Sequence, residues 1–223
     1  MSLPTTDDDR QLRTTDTEPD MWELADDRDV SEARRAYPSG WLWLTGTESV
    51  RALLDALLDA DPTARYGTDD LADAADRSPD EVETAVDPLI SLGVLFAEDG
   101  TYRVNDHGVV LHAARQLSEA VEATGAPGDE SGFEYLARLE SVRVMVDAML
   151  SADPDRTLTQ EDLHRLTGVS RKAVWLHVEK LVDLGVLEQT GDEYALVPDG
   201  PVLRWVQSLD AAVVGATLAT SHP

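Results

Sequence analysis

The residues best suited to chemistry are the only two lysines of the chain, Lys172 and Lys180. Both fall in residues 170–184, where the spacing of apolar side chains predicts a helix that begins at Ser170. Ammonium groups on a helix bind phosphate, and a helix fits the major groove of double-stranded DNA. The chemistry that these residues favour is therefore non-covalent binding of a polyanion.

Patterns typical of catalysis or metal binding are missing from the sequence. The chain has no cysteine, which excludes disulfides and cysteine-based metal or redox sites. No GxSxG, phosphate-binding loop or GxGxxG pattern occurs, and the five histidines form no HExxH. We therefore predict that the protein is not an enzyme and binds no cofactor and no metal.

The predicted helix 170–184 has two different faces. Val174, Val178, Leu181 and Val182 share the face expected to enter the core, and both lysines fall opposite them. The residues predicted to contact DNA are Arg156, Thr159, Gln160, Arg165, Ser170, Arg171, Lys172, Leu176, His177 and Lys180. The alternative is that the lysines are solvated surface charges and that Trp175 caps the core.

An internal repeat organises the rest of the chain. When the sequence is shifted by 92 residues, 24 of the 64 pairs between 48–111 and 140–203 are identical, and no gap is needed. Such agreement indicates that the two halves share one fold. Each half reads as helix, short strand, helix, turn, helix, hairpin and helix. The predicted first helices are 48–59 and 140–151, and the predicted last helices are 109–123 and 201–219.

The second half, in residues 163–196, resembles winged helix-turn-helix regulators of the MarR and ArsR kind. The resemblance implies a mainly α fold with small β-hairpins, built as two tandem winged helix-turn-helix domains. The predicted organisation is an extension, disordered or partly helical (1–40), a first domain (41–124), a linker (125–132) and a second domain (133–223). The apolar run Trp41–Leu44 is interpreted as a strand or an entry segment to the first domain.

The first half differs from the second where DNA contact is expected. Residues 67–91 contain eight acidic residues and one arginine, and Asp80 stands at the position of Lys172 in the repeat. Such a surface repels phosphate, so we predict that the first domain acts as a scaffold, dimerises or binds a protein partner. The second hairpin has no basic tip either, which leaves Arg156 and Arg165 as candidates for phosphate contacts.

The whole chain is acidic, with a formal net charge of -26 at pH 7. The acidic residues are dispersed, and the pattern resembles that of proteins from salt-accumulating haloarchaea. At about 1 M salt the Debye length is only about 3 Å, so global acidity would barely repel DNA. No apolar run is long enough to cross a membrane, and the N-terminus lacks the features of a signal peptide, which favours a cytoplasmic location.

Helix 201–219 is apolar over much of its circumference, and one small domain would bury only a stripe of it. We predict that the remainder forms a homodimer interface. The residues assigned to this interface are Val202, Trp205, Val206, Leu209 and Val213. The alternative is that the same residues pack against the first domain of the same chain.

Taken together, these features predict a transcriptional regulator that binds double-stranded DNA through residues 170–180. The alternative is a tandem winged-helix module that binds proteins in a replication, segregation or transcription complex. A third possibility is a regulator with a small-molecule pocket between the halves. The sequence shows no chemistry that identifies such a pocket.

Overall fold

The computed structural model describes residues 11–220, which form twelve helices and five short strands. The protein is mainly helical with small antiparallel sheets, as predicted. The helices are α1 (Glu18–Asp27), α2 (Val30–Ala36), α3 (Gly40–Gly46), α4 (Glu48–Leu57), α5 (Thr68–Ala75), α6 (Pro79–Ser91), α7 (Val109–Glu122), α8 (Gly132–Ala137), α9 (Glu140–Leu150), α10 (Gln160–Thr167), α11 (Arg171–Asp183) and α12 (Pro201–Thr220). The strands are β1 (Leu95–Glu98), β2 (Thr101–Val104), β3 (Thr157–Leu158), β4 (Leu187–Thr190) and β5 (Glu193–Leu196).

The N-terminal extension, predicted to be disordered or partly helical, contains helices α1 and α2 and is folded from residue 11 onward. The Gln11 amide donates to the Ala36 carbonyl at 2.9 Å, and the Arg13 amide donates to the Pro38 carbonyl at 2.8 Å. These bonds hold residues 11–13, which precede α1 in the sequence, beside the C-terminal end of α2. The first ten residues of the predicted tail lie outside the described residues.

The two halves contain the same elements in the same order. Helix α4 begins at Glu48 and α9 at Glu140, a separation of 92 residues, and the three helices that follow keep this separation. In the second half the strand order is β3-β5-β4. In the first half a single antiparallel bridge between Tyr66 and Tyr102 takes the place of β3 beside the β1-β2 hairpin. The predicted order of elements is therefore observed in both halves, except that the short strand predicted for the first half is reduced to this bridge.

A short helix precedes each half, and the sequence interpretation missed both. The Trp41–Leu44 run forms α3, not a strand, and α8 begins in the predicted linker at Gly132. Each helix is capped by a serine: Ser39 accepts a hydrogen bond from the Leu42 amide, and Ser131 accepts one from the Glu134 amide. The repeat thus extends back to these two caps.

Each of these short helices crosses to the other half. Helix α3 packs against α12 and α9, whereas α8 packs against α7 and α4. A Cβ atom on Gly40 would lie 2.4 Å from the carbonyl oxygen of Asp210, and one on Gly132 would lie 2.1 Å from that of Ser118. Only glycine allows both close crossings. The halves are therefore joined by two matching contacts that interlock them.

The last helices of the two halves, α7 and α12, pack against each other, and the buried apolar side chains form one continuous core. The Trp205 ring meets His112 of α7 edge-to-face, with the ring centres 6.1 Å apart. The other residues predicted for a dimer interface are fully buried within the chain: Val202, Val206, Leu209 and Val213. This burial corrects the prediction, because the alternative contact with the first half already covers α12.

Candidate nucleic-acid interface

Helices α10 and α11 are positioned by a short turn with capped ends. The Thr159 hydroxyl accepts from the Asp162 amide at 3.1 Å, and the Asp162 carboxylate accepts from the Thr159 amide at 3.0 Å. Gly168 ends α10 with a φ of 71°, a conformation that favours glycine. Ser170 caps α11, as predicted, by accepting from the Ala173 amide. These local bonds therefore define the ends of the two helices and the turn between them.

The inner face of α11 agrees with its predicted periodicity. Val174, Val178 and Leu181 are buried in the core. On the outer side, Trp175 is 64% exposed and Leu176 is 52% exposed, so Trp175 does not cap the core. Lys172 is exposed beside them and has no ion-pair partner among the described residues. The exposed surface of α11 thus combines one unpaired cation with two large apolar side chains.

The three arginines predicted to contact phosphate each face an acidic side chain. Arg171 binds both carboxylate oxygens of Glu161, at 2.7 and 2.8 Å, and Arg165 binds the same carboxylate at 3.3 Å. Arg156 lies 3.3 Å from the Asp162 carboxylate. The hydrogen bond from Arg171 lowers the pKa of Glu161, which therefore stays ionised. All three ion pairs are exposed to solvent, where such pairs contribute little to stability and exchange readily.

Lys180, predicted to contact DNA from the outer face of α11, is instead partly buried against Tyr135 of α8. Its ammonium donates a hydrogen bond to the Tyr135 carbonyl oxygen and lies 3.4 Å from the centre of the Tyr135 ring. Burial lowers the pKa of Lys180 to about 8, and Arg138 adds to the decrease. The pKa of His177 is also lowered, by burial and then by Lys180, which favours a neutral imidazole. The physical reason is Tyr135 of α8, whose ring and carbonyl oxygen contact the Lys180 ammonium.

Two other predicted contact residues have local structural roles. The Thr159 side chain caps α10, and the Gln160 amide donates to the Tyr194 hydroxyl at 3.2 Å. The interactions of the arginines were only partly readable from the sequence, since Arg165 lies four residues after Glu161 but Arg171 lies ten after it. Lys172 and Leu176 are the predicted residues that remain open to a partner.

The charge around α10 and α11 differs in sign from that of the chain. Residues 156–180 contain five Lys or Arg and three Asp or Glu, a net charge of +2. The corresponding residues of the first half, 64–88, contain two basic and eight acidic residues, a net charge of -6. Helices α10 and α11 are therefore far less acidic than the equivalent part of the first half.

Residues 11–220 contain no metal-binding cluster and no helix able to span a membrane. No cluster of three His, Cys, Asp or Glu side chains there is arranged to hold a metal ion. None of the helices in this range combines the length and apolar character needed to cross a membrane.

Comparisons with known proteins add little to this geometry. No family model matches the chain, and no curated protein matches it. The chain is similar to one solved structure, the DIP2311 protein from Corynebacterium diphtheriae, with 20% identity and a TM-score of 0.22. The match covers 72% of this chain and 30% of that one, so the chain spans about a third of its length. A TM-score of 0.22 carries no argument about fold or function.

Proposed function

We propose that the protein consists of two tandem winged helices and regulates transcription by binding double-stranded DNA through α10 and α11. The observation that carries this proposal is the charge contrast between the halves. Residues 156–180 have a net charge of +2 in a chain of -26, whereas residues 64–88 have -6. A basic surface beside a capped helix pair is the electrostatic footprint expected of a DNA-binding element.

In this proposal the N-terminal half of α11 faces the major groove. Lys172 binds a phosphate directly, because no acidic side chain occupies it. Arg171 exchanges the Glu161 carboxylate for a phosphate oxygen, which is possible because this ion pair is exposed to solvent. Leu176 is 52% exposed and is able to meet a thymine methyl group. Lys180 is bound to α8, so it adds to the positive electrostatic potential of this surface and does not contact DNA directly.

The first half takes a different role in the proposal. Its acidic helix α6 is unsuited to phosphate, so we assign it to scaffolding or to a protein partner. A homodimer would have to use a surface other than α12, whose apolar side is buried within the chain. Light scattering of the intact protein measures this directly.

The test is a charge reversal on α11. We expect the variant Arg171→Glu with Lys172→Glu to bind a labelled mixed-sequence duplex of about 30 base pairs, three helical turns, at least about tenfold more weakly than the unaltered protein. The slope of log affinity against log salt should also fall by about 2, one for each lost phosphate contact. Fluorescence anisotropy across a series of KCl concentrations measures both quantities.

The matched control changes the charge of the first half and leaves the second half unaltered. Asp80→Ala with Asp87→Ala alters the acidic face of α6, and we expect the affinity for DNA to stay within about twofold of the unaltered protein, since α6 belongs to the other half and is not part of the proposed contact. Equal binding by the unaltered protein and the charge-reversal variant would refute the DNA-binding proposal.

A second candidate function, protein binding, is favoured by Trp175. An exposed tryptophan beside an exposed leucine resembles the apolar centre of a protein–protein interface. Trp175→Ser would then weaken a protein complex isolated by cross-linking and leave affinity for DNA unchanged. If α11 faces DNA instead, the same change weakens DNA binding and leaves such complexes unaffected.

A further inference from the structure

A cavity of about 420 Å³ lies between the N-terminal extension and the turn that joins α10 to α11. Its walls come from α2, α3 and α9 and from the beginning of α11. The apolar part of the wall includes Leu42, Val144 and Val169. A volume of several hundred Å³ with an apolar lining is typical of sites for small organic molecules.

The charged part of the wall is cationic. Arg34, Arg35 and Arg143 line the cavity, and Glu140 is the one acidic residue among the lining residues. Arg34 is buried and forms an ion pair with Asp147, whereas its Nε atom has no hydrogen-bond partner in the described structure. Three of the chain's sixteen arginines thus surround one cavity, although acidic residues outnumber basic residues 44 to 18 in the whole protein.

Comparison of the two halves shows that Arg143 lacks a carboxylate partner that its counterpart in the repeat has. Arg143 corresponds to Arg51, and each donates to a backbone carbonyl before its own helix, at Ala137 and at Thr45. Arg51 has a second partner, the Glu134 carboxylate, at 3.1 Å from its Nε atom.

In the repeat, Leu42 of α3 corresponds to Glu134 of α8, and Leu42 lines the cavity. Arg143 therefore has no carboxylate partner among the described residues. Burial lowers the pKa of Arg143, and the charge of Arg51 lowers it further, whereas the charges of Glu140 and Glu134 offset part of this decrease. A partly buried guanidinium without a directly bonded carboxylate is unfavourable, and an anion beside it would relieve this cost.

We propose that this cavity binds a small molecule with one carboxylate and an apolar body. The carboxylate lies beside Arg143, in the role that Glu134 has beside Arg51, and the apolar body contacts Leu42, Val144 and Val169. Arginine binds a carboxylate through two parallel hydrogen bonds, which suits one such group better than a hydroxyl or an amide. Inorganic phosphate is disfavoured because it would leave the apolar part of the wall, at Leu42, Val144 and Val169, uncovered.

The position of the cavity links its occupant to the helix turn. Ser170, the cap of α11, lines it, and Gly168 lies at the turn against the extension, where the Ser31 hydroxyl donates to its carbonyl at 3.3 Å. An occupant contacts both the extension and the start of α11. A change in DNA affinity on ligand binding would follow only if the proposed function holds, whereas ligand binding itself does not depend on it.

The test uses two pairs of probes that differ in charge alone: 1-naphthoate with 1-naphthamide, and octanoate with octanamide. Isothermal titration and thermal melting are carried out on the full chain without DNA. We expect at least one carboxylate to bind about tenfold or more tightly than its amide, the ratio that a charge-assisted hydrogen-bonded pair contributes. If neither carboxylate binds more tightly than its amide, the proposal is overturned.

Two variants locate the site. Leu42→Glu supplies Arg143 with the carboxylate that the first half already has, and Arg143→Gln removes the cation. Each should weaken carboxylate binding by about tenfold or more while circular dichroism stays unchanged. Arg204→Gln makes the same change of charge on the exposed side of α12, outside the cavity, and should bind like the unaltered protein. Unaltered binding by a folded Leu42→Glu variant would also overturn the proposal.

Discussion

The two halves use the same backbone plan to present opposite charges. Helix α11 begins Arg171-Lys172, whereas the matching positions of α6 are Pro79-Asp80. The apolar positions beneath are alike, since Val174 and Val178 correspond to Val82 and Val86, and all four are buried. The difference teaches that packing constrains the residue types in the core of the repeat, whereas the exposed residues can change without loss of the fold. Residues with a specific function are therefore better sought at the positions where the two halves differ.

A second disagreement lies in the core, at the paired positions Asp55 and Asp147. Asp55 accepts a hydrogen bond from the Ser131 hydroxyl at 2.5 Å, and burial raises its pKa. Asp147 is completely buried and binds two arginines of the N-terminal extension, Arg13 at 2.6 Å and Arg34. The extension is therefore fixed to the second half by an ion triad that has no equivalent in the first half.

The largest effect should come from breaking this triad. Asp147→Ala leaves two arginines buried without their shared counter-ion, and we expect the free energy of unfolding to fall by about 3–5 kcal/mol. Chemical denaturation followed by tryptophan fluorescence measures the loss. Asp55→Ala is the matched change in the first half, and it should cost only about 0.5–1.5 kcal/mol because one hydrogen bond is lost. Equal losses would show that the extension does not depend on the triad.

Much of the fold could be predicted from the sequence because the repeat is gapless and the apolar spacing is regular. Helices predicted at 109–123 and 201–219 are observed at Val109–Glu122 and Pro201–Thr220. Helix α3 was missed because a run of four apolar residues has no helical period to recognise. Its helical form depends on the Ser39 cap and on the close crossing at Gly40, and the crossing is a tertiary contact between residues far apart in sequence.

Substitution of Gly40 and of Gly132, at the two helix crossings, should have similar effects on stability. Alanine at either position places a Cβ atom within 2.4 Å of a carbonyl oxygen, so we expect each variant to lose about 1–3 kcal/mol of unfolding free energy. Gly215→Ala is the control, because an added Cβ there meets nothing within 4 Å. Alanine at this exposed site in α12 should instead stabilise the protein by about 0.5–1 kcal/mol. A loss at only one of the two crossings would contradict the matching geometry.

The candidate site was less predictable than the fold. Helical periodicity placed Lys172 and Lys180 on the same outer face, but it carries no information about neighbouring helices. Tyr135 reaches Lys180 from α8, 45 residues earlier in the chain. The acidic partners of the arginines lie on α10, so the isolated helix looked more basic than the surface it belongs to.

The smallest expected effect concerns Lys180, whose counterpart in the first half is Pro88 and does not titrate. Contact with the Tyr135 ring and carbonyl favours the charged ammonium, whereas burial and Arg138 disfavour it, and burial prevails in lowering its pKa to about 8. The unfolded chain keeps this proton up to its ordinary pKa of 10.5. Between these two values the unfolded state binds more protons, so the free energy of unfolding should rise with pH.

Lys180→Met keeps an apolar side chain and removes the titrating group. We expect the unfolding free energy of the unaltered protein to increase relative to this variant between pH 8 and 10, by no more than about 1 kcal/mol because Lys180 is partly solvated. Below pH 8 both states of the unaltered protein hold the proton, so the difference should be flat there. Lys172→Met is the control, since that ammonium is exposed to water before and after unfolding. A difference that falls between pH 8 and 10 would mean that the contact with Tyr135 outweighs burial and raises the pKa of Lys180.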